Sequence, residues 1–331
     1  MEQKINTRGL TESSIMAAFI ATVVIMSSYF PFLYGIVMLI LPILIAVIHY
    51  KHDMKYSVGC VIVSVLIIAM MSNPITAITM GVSYGIVGVT LGYGVRKNYS
   101  PYKILILTVL ASIVAIVADF WLTGLLISGQ NIFVFMKNQA TEMSEIFTLS
   151  MEQAQKMYSS MGMGESQLAM MDQMKQVMTP EYIVIMFPAI IVLTGFLQGY
   201  ISFIIFTKIL KRLRYAVIEP TKFNQFYVTN LVGAFLISLM CIALILVGRG
   251  VSWAPSVYNA IFLITIVILS INGIAALQYF LKEKMMLPKV ARVLLIIVAF
   301  MMGSFILFGI IGFVEMLLDF RKLDPHRLRK A

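Results

Sequence analysis

The sequence predicts an all-α fold: a polytopic transmembrane helix bundle of about eight crossings, closed by a C-terminal segment that either crosses or re-enters. Three observations carry this. Of the 331 residues, 60% are hydrophobic and 12% charged, against roughly 25% charged in soluble domains. The apolar residues gather in runs near the ~20-residue length that a spanning helix needs. The basic residues, which set a net charge of +10, fall in short clusters between those runs. The clusters are Lys51 and Lys55; Arg96, Lys97 and Lys103; Lys208, Lys211, Arg212 and Arg214; and Lys282, Lys284, Lys289 and Arg292. This is the distribution of cytoplasmic membrane loops, so the expected partner is the lipid bilayer and not nucleic acid.

The first run, 10–30, follows Lys4 and Arg8. No small-x-small cleavage site follows and a second run begins at once, so it reads as a retained span with a cytoplasmic N-terminus. Ser13, Ala17 and Ala21 recur every four residues, as do Ser14, Ala18 and Thr22. Small-residue faces let bilayer helices approach closely. The Ser13 face is expected either to dock a membrane partner or to pack internally.

Runs 33–48 and 57–71 are short; the first contains Pro42 and the second stops at Ser72-Asn73-Pro74. Broken spans are tolerated where protein or water covers them, often beside a cavity. Run 75–94 carries a stripe of Gly81, Gly85, Gly88 and Gly92, read as a helix-packing face. Its Gly92-Tyr93-Gly94 end lacks the lysine-serine or lysine-threonine pair of a phosphate loop.

Run 104–127 contains Asp119, two residues before Trp121. A carboxylate at the centre of a span costs about 2.5–3.5 kcal/mol on insertion scales. Asp119 therefore faces a cavity, a partner or water; the alternative is a snorkelling carboxylate with Trp121 in the aromatic belt. Asp119, Trp121 and Asn73 are the candidate substrate-binding residues, and Arg249 is the candidate ion partner of Asp119.

Residues 128–180 are the long polar segment, placed outside by the count of crossings. Met143, Phe147, Met151, Ala154, Tyr158 and Met161 recur at helical spacing, and so do Leu168, Met171, Met174 and Met178. Two amphipathic helices are expected, joined near Gly162 and Gly164. Their methionines suit adaptable packing better than Cu(I) binding.

Runs 181–207, 226–248 and 257–281 bring the chain back to the cytoplasm near Lys282. The last run, 293–318, is too short for two crossings. One crossing would leave Arg321, Lys322, Arg327, Arg329 and Lys330 outside, against the charge rule. A hairpin broken at Gly303, Gly309 or Gly312 would return the tail inside. Glu315, Asp319 and Arg321 are expected to form a solvated terminal cluster. Asn73, Gln198, Asn272 and Gln278 are expected mostly to make hydrogen bonds between helices.

No HExxH, CxxC, Walker A or GxSxG pattern is present. Cys60 and Cys241 lie in apolar runs, His49 and His52 in an expected solvated turn, and His326 in the tail. No metal site, no cofactor and no enzyme activity are expected.

Three stretches carry a resemblance: Arg8-Gly9-Leu10 through Ala17-Ala18 and Tyr29-Phe30-Pro31; Lys211-Arg212-Leu213 leading through Pro220 and Phe223; and Gly312-Phe313-Val314-Glu315 through Phe320-Arg321-Lys322. With the order of spans, they resemble the YybS-like bacterial membrane proteins over nearly the whole chain. Glu315 stands where that family is expected to have aspartate. The family is distantly similar to the substrate-binding S components of energy-coupling-factor transporters, six-helix proteins that dock a coupling subunit through small residues on the first helix. Ser13, Ala17 and Ala21 occupy a comparable place. The resemblance implies a bacterial cell-membrane protein with a six-span unit over 1–210, including an outer cap at 128–180. A cytoplasmic amphipathic linker at 211–225 and C-terminal membrane helices with a basic tail at 226–331 would complete it. It further implies a small-molecule substrate and a membrane coupling subunit. The alternative is a membrane scaffold or regulatory partner that transports nothing.

Overall fold

The computed structural model describes residues 7–160, 165–215, 219–220, 222–301 and 305–323, and every regular element among them is helical. Lys4, Met161, Gly162, Gly164, Gly303, His326, Arg327, Arg329 and Lys330, named above, lie outside the described residues. In chain order the helices are α1 (Thr7–Tyr29), α2 (Tyr34–Lys51), α3 (Met54–Met71), α4 (Pro74–Arg96), α5 (Pro101–Ser128), α6 (Ile132–Ser160), α7 (Glu165–Val177), α8 (Pro180–Arg212), α9 (Asn230–Gly248), α10 (Ala254–Glu283), α11 (Lys289–Met301) and α12 (Phe305–Leu318). Eight of them, α1–α5 and α8–α10, are long and apolar enough to span a membrane.

Several starts share one device. Asn73, Ser100 and Thr179 each precede a proline and accept a hydrogen bond from the amide of Ile75 (2.8 Å), Lys103 (3.4 Å) and Tyr182 (3.3 Å). The cap satisfies an orphan amide, and proline at the first helical position has none to satisfy. Gly129 ends α5 in the left-handed region, with φ 62°.

The chain divides into two compact units: Met1–Val184 with Thr194–Pro220, and Ile185–Leu193 with Thr221–Ala331. The core of the first unit joins Ala17, Ile20, Ala21 and Val24 of α1 to Leu41 and Ile45 of α2, Cys60 and Ile68 of α3, and Ala77 and Tyr84 of α4. Ser13, Ala17 and Ala21 are buried in this unit, whereas Ser14, Ala18 and Thr22, about 100° further round α1, are exposed.

The glycine stripe of α4 serves two neighbours. Gly81 and Gly85 lie against Val65 and Val61 of α3. Gly88 and Gly92 lie against α2, where an added Cβ would come within 2.5 Å of the Pro42 carbonyl oxygen and 2.8 Å of that of Ala46. No side chain larger than hydrogen fits such a backbone approach. Gly195 and Gly199 of α8 meet Ile113 and Val109 of α5 in the same way.

His49 differs from its expected solvated turn. It is 2% exposed, and its ring Nδ1 lies 3.0 Å from the Ser57 hydroxyl. α2 continues to Lys51, so His49 is still helical and points into the unit.

The polar segment folds as an antiparallel pair. Gln155 of α6 donates to Asp172 of α7 (2.9 Å) and accepts from Lys175 (2.9 Å), while Ser144 donates to the Met178 carbonyl (2.7 Å). Phe147, Met151, Ala154, Tyr158 and Met171 are half-buried; Met143 and Met174 are exposed.

In the second unit α12 packs directly on α10. A Cβ on Gly273 would fall on the carbonyl oxygen of Phe308, and one on Gly312 on that of Leu269. Ser270 donates to the Phe305 carbonyl (2.9 Å), and Met316 covers Gly233 in the first turn of α9. The axes of α11 and α12 differ by 116°. Beyond α12, Arg321 donates to the carbonyls of Asn224 (3.2 Å) and Phe226 (2.8 Å), just ahead of α9. The chain therefore leaves α12 on the side from which α9 departs. Because α9 and α10 form one out-and-back pair, α11 and α12 begin and end on that same side. This is the arrangement expected of the hairpin alternative.

Candidate functional site

Asp119 sits nine residues before the end of α5, about 14 Å along the helix at 1.5 Å per residue. That position lies within the apolar run of α5. Its position relative to α4 follows from the short turn between the two helices. Gly94 meets Ile104, Ser83 donates to the Ala115 carbonyl (3.4 Å), and Asp119 lies beside Thr79. Each pair is symmetric about Tyr99 in the sequence, as expected of two antiparallel helices joined by a tight turn. The Asp119 carboxylate thus meets the hydroxyls of Thr79 and Ser83, and its charge reaches Tyr34 at the start of α2. Asp119 itself is half-buried.

The other two candidate substrate residues do not join it. Trp121 is 50% exposed on the outside of the helix. Asn73 is exposed, and its Oδ1 accepts from Ile75 as the cap of α4. Arg249, the expected ion partner, is an exposed residue capping α9 in the second unit. Among the described residues no cation pairs with Asp119. The arrangement is one carboxylate with two hydroxyls and a phenol nearby, suited to a proton, a cationic group or a hydrogen-bond donor.

A second polar centre lies in the second unit, and here the solvated terminal cluster is corrected. Glu315 and Arg321 are 2% and 6% exposed. Arg321 Nε donates to Glu315 Oε1 (2.5 Å), and its NH2 donates to Asn272 Oδ1 (2.9 Å). Asn272 also donates to the Gly312 carbonyl (2.9 Å) and accepts from the Val228 amide (3.3 Å). Glu315 Oε2 has no donor among the described residues. The chain turns back through Asp319 and Lys322, both in the left-handed region (φ 46° and 54°), and that reversal buries Arg321.

A family model described as "Predicted membrane protein (DUF2232)" matches residues 18–316. The chain belongs to this family. No curated protein and no solved structure matches. The matched region of this DUF2232 member holds Thr79, Ser83, Asp119, Asn272 and Glu315, and leaves Arg321 just beyond its end.

Sequence reading passed over a third centre. Glu12, in the second turn of α1, receives hydrogen bonds from Arg8 (2.9 Å) and Lys51, and lies 3.0 Å from His52. Arg96 pairs with Asp53 (2.6 Å) and donates to the His52 carbonyl (2.6 Å). The signal was available: a carboxylate at the very start of an apolar run calls for a cation on a neighbouring helix end.

Proposed function

We propose that this protein is a small-molecule transport or substrate-binding component of the bacterial cell membrane, with its N-terminus and basic loops cytoplasmic. The observation that carries the reading is Asp119, set beside Thr79 and Ser83 well inside the apolar helix α5, with no cation paired to it among the described residues. Ionisable side chains at this depth are rare and mark substrate, ion or proton routes. Asp119 would bind the cargo, Thr79 and Ser83 would orient it, and Tyr34 would stand at the rim. The role is binding and passage, without chemistry on the cargo. The YybS-like and S-component likenesses belong to this reading, with α1–α5 and α8 as the six spans. A coupling subunit would meet the exposed Ser14, Ala18 and Thr22, because the Ser13, Ala17 and Ala21 face is covered by the unit's own helices.

The test is a metabolite screen by thermal shift on the purified protein, with Asp119→Asn alongside. A cargo at a hundredfold excess over its dissociation constant stabilises the wild type by about 2.7 kcal/mol. The Asn variant should lose most of that gain. A ligand that stabilises both proteins equally would remove Asp119 from the site.

The second reading, a scaffold or regulator without transport, draws on the same exposed small-residue face of α1. Affinity capture separates the two. Association with a transporter ATPase complex supports the first reading; stable association with an unrelated membrane machine supports the second.

A further inference from the structure

A groove of about 440 Å³ runs between α1 and α2. Its walls are apolar: Ile15, Met16 and Phe19 from α1, and Leu44, Val47 and Ile48 from α2. One end is closed by the charged pair Glu12 and Lys51. The groove is open to the surroundings of the span, since Ile15 and Phe19 are 65% and 51% exposed. An apolar trough ending in charge at the last turn of a span matches an amphiphile with one chain and one ionic head.

The sign of that head follows from the charges present. Glu12 is shared by Lys51, by His52 and by Arg8, whose side chain is 80% exposed. One carboxylate against two permanent cations leaves the mouth of the groove positive, before any charge on His52. Arg8 is held to Glu12 through Nε, and the side chain stays exposed beside the mouth. Arginine is the side chain best shaped for phosphate oxygens.

We propose that the α1–α2 groove binds an anionic phospholipid, with one acyl chain along Ile15, Phe19 and Leu44 and the phosphate at Arg8 and Lys51. Glu12 sets the selectivity. It holds both cations in place while cancelling only part of their charge. The proposal does not depend on the Asp119 reading, because the two sites share no residue.

The experiment uses the full chain reconstituted in vesicles of phosphatidylcholine containing phosphatidylglycerol, then released into detergent for native mass spectrometry of retained lipid. Phosphatidylglycerol should be retained in preference to phosphatidylcholine. Arg8→Gln should lower that preference by about fivefold, the worth of one basic residue near an anionic surface. Glu12→Gln should raise it, because a negative charge leaves the mouth. Arg8→Gln lies at an exposed side chain and is expected to fold; thermal unfolding of each variant checks this. Equal retention of the two lipids overturns the proposal. So does a preference that Arg8→Gln and the double variant Glu12→Gln/Lys51→Gln leave unchanged. Displacement of the lipid by glycerol phosphate at equal concentration would also overturn it, since the head would then bind without the chain.

Discussion

Asp119 and Glu315 are both carboxylates within apolar helices, and their surroundings are opposite. Glu315 is 2% exposed and bonded to Arg321, which is itself held by Asn272 and two backbone carbonyls. Asp119 is half-buried and lies beside two neutral hydroxyls, with no cation paired to it among the described residues. A buried ion pair with its hydrogen bonds supplied fixes geometry, and removing one member strands the other. A carboxylate beside hydroxyls alone is left with capacity to bind. The same residue chemistry thus reads as architecture in one unit and as a candidate site in the other.

The sharpest way to break this contrast is to remove one charge from each. Arg321→Ala leaves Glu315 buried without its cation and should destabilise the second unit by about 3–5 kcal/mol, read by thermal unfolding in detergent. Asp119→Asn should shift unfolding by no more than about 0.5 kcal/mol. If both variants lose stability equally, Asp119 is structural as well. Next in size are the glycine contacts. Gly273→Ala places a methyl on the Phe308 carbonyl oxygen and should cost about 1–3 kcal/mol through overpacking. Gly59→Ala, with nothing within 4 Å of the added carbon, is the matched control and should be neutral or slightly stabilising by the same measurement. The smallest effect is expected in the α6–α7 pair. Hydrogen bonds from Gln155 and Lys175 hold the Asp172 carboxyl below its ordinary value. Its contribution is therefore complete above the ordinary carboxylate range and fades as pH falls through the lowered value. Amide exchange in α6 and α7 should quicken over that acid range, and Asp172→Asn should remove the pH dependence.

Much of the fold could be read from the sequence because the bilayer sets a strict length and polarity for each span. All eight spans fall on the apolar runs, and the Gly81–Gly92 stripe lies where helices approach most closely. Counting back from the turn at Tyr99 would have brought Thr79 to Asp119, a signal that the sequence reading, with Arg249 as the expected partner, did not use. What could not be read was which face of a helix points inward. Ser13 and Ser14 begin equivalent small-residue faces, yet one is buried and the other exposed; only the packing of α2 and α3 decides between them. Arg321 differs from its expected solvated place for a related reason. Its distance past an apolar run implies water, but the left-handed turn at Asp319 folds it back.

Arg321 also imposes an order on assembly. The carbonyls of Asn224 and Phe226 lie nearly a hundred residues earlier, and domains tend to fold from the N-terminus as synthesis proceeds. The first unit has most of its chain available before α9 is made. The approach to α9, by contrast, waits for the guanidinium that arrives after the last helix. A nascent chain stopped at Leu318 would hold all eight spans and still lack the clasp on the segment leading into α9. The segment leading into α9 is thus held by a residue that lies beyond α12, and the second unit should reach its protease-resistant state only after Arg321 has left the ribosome.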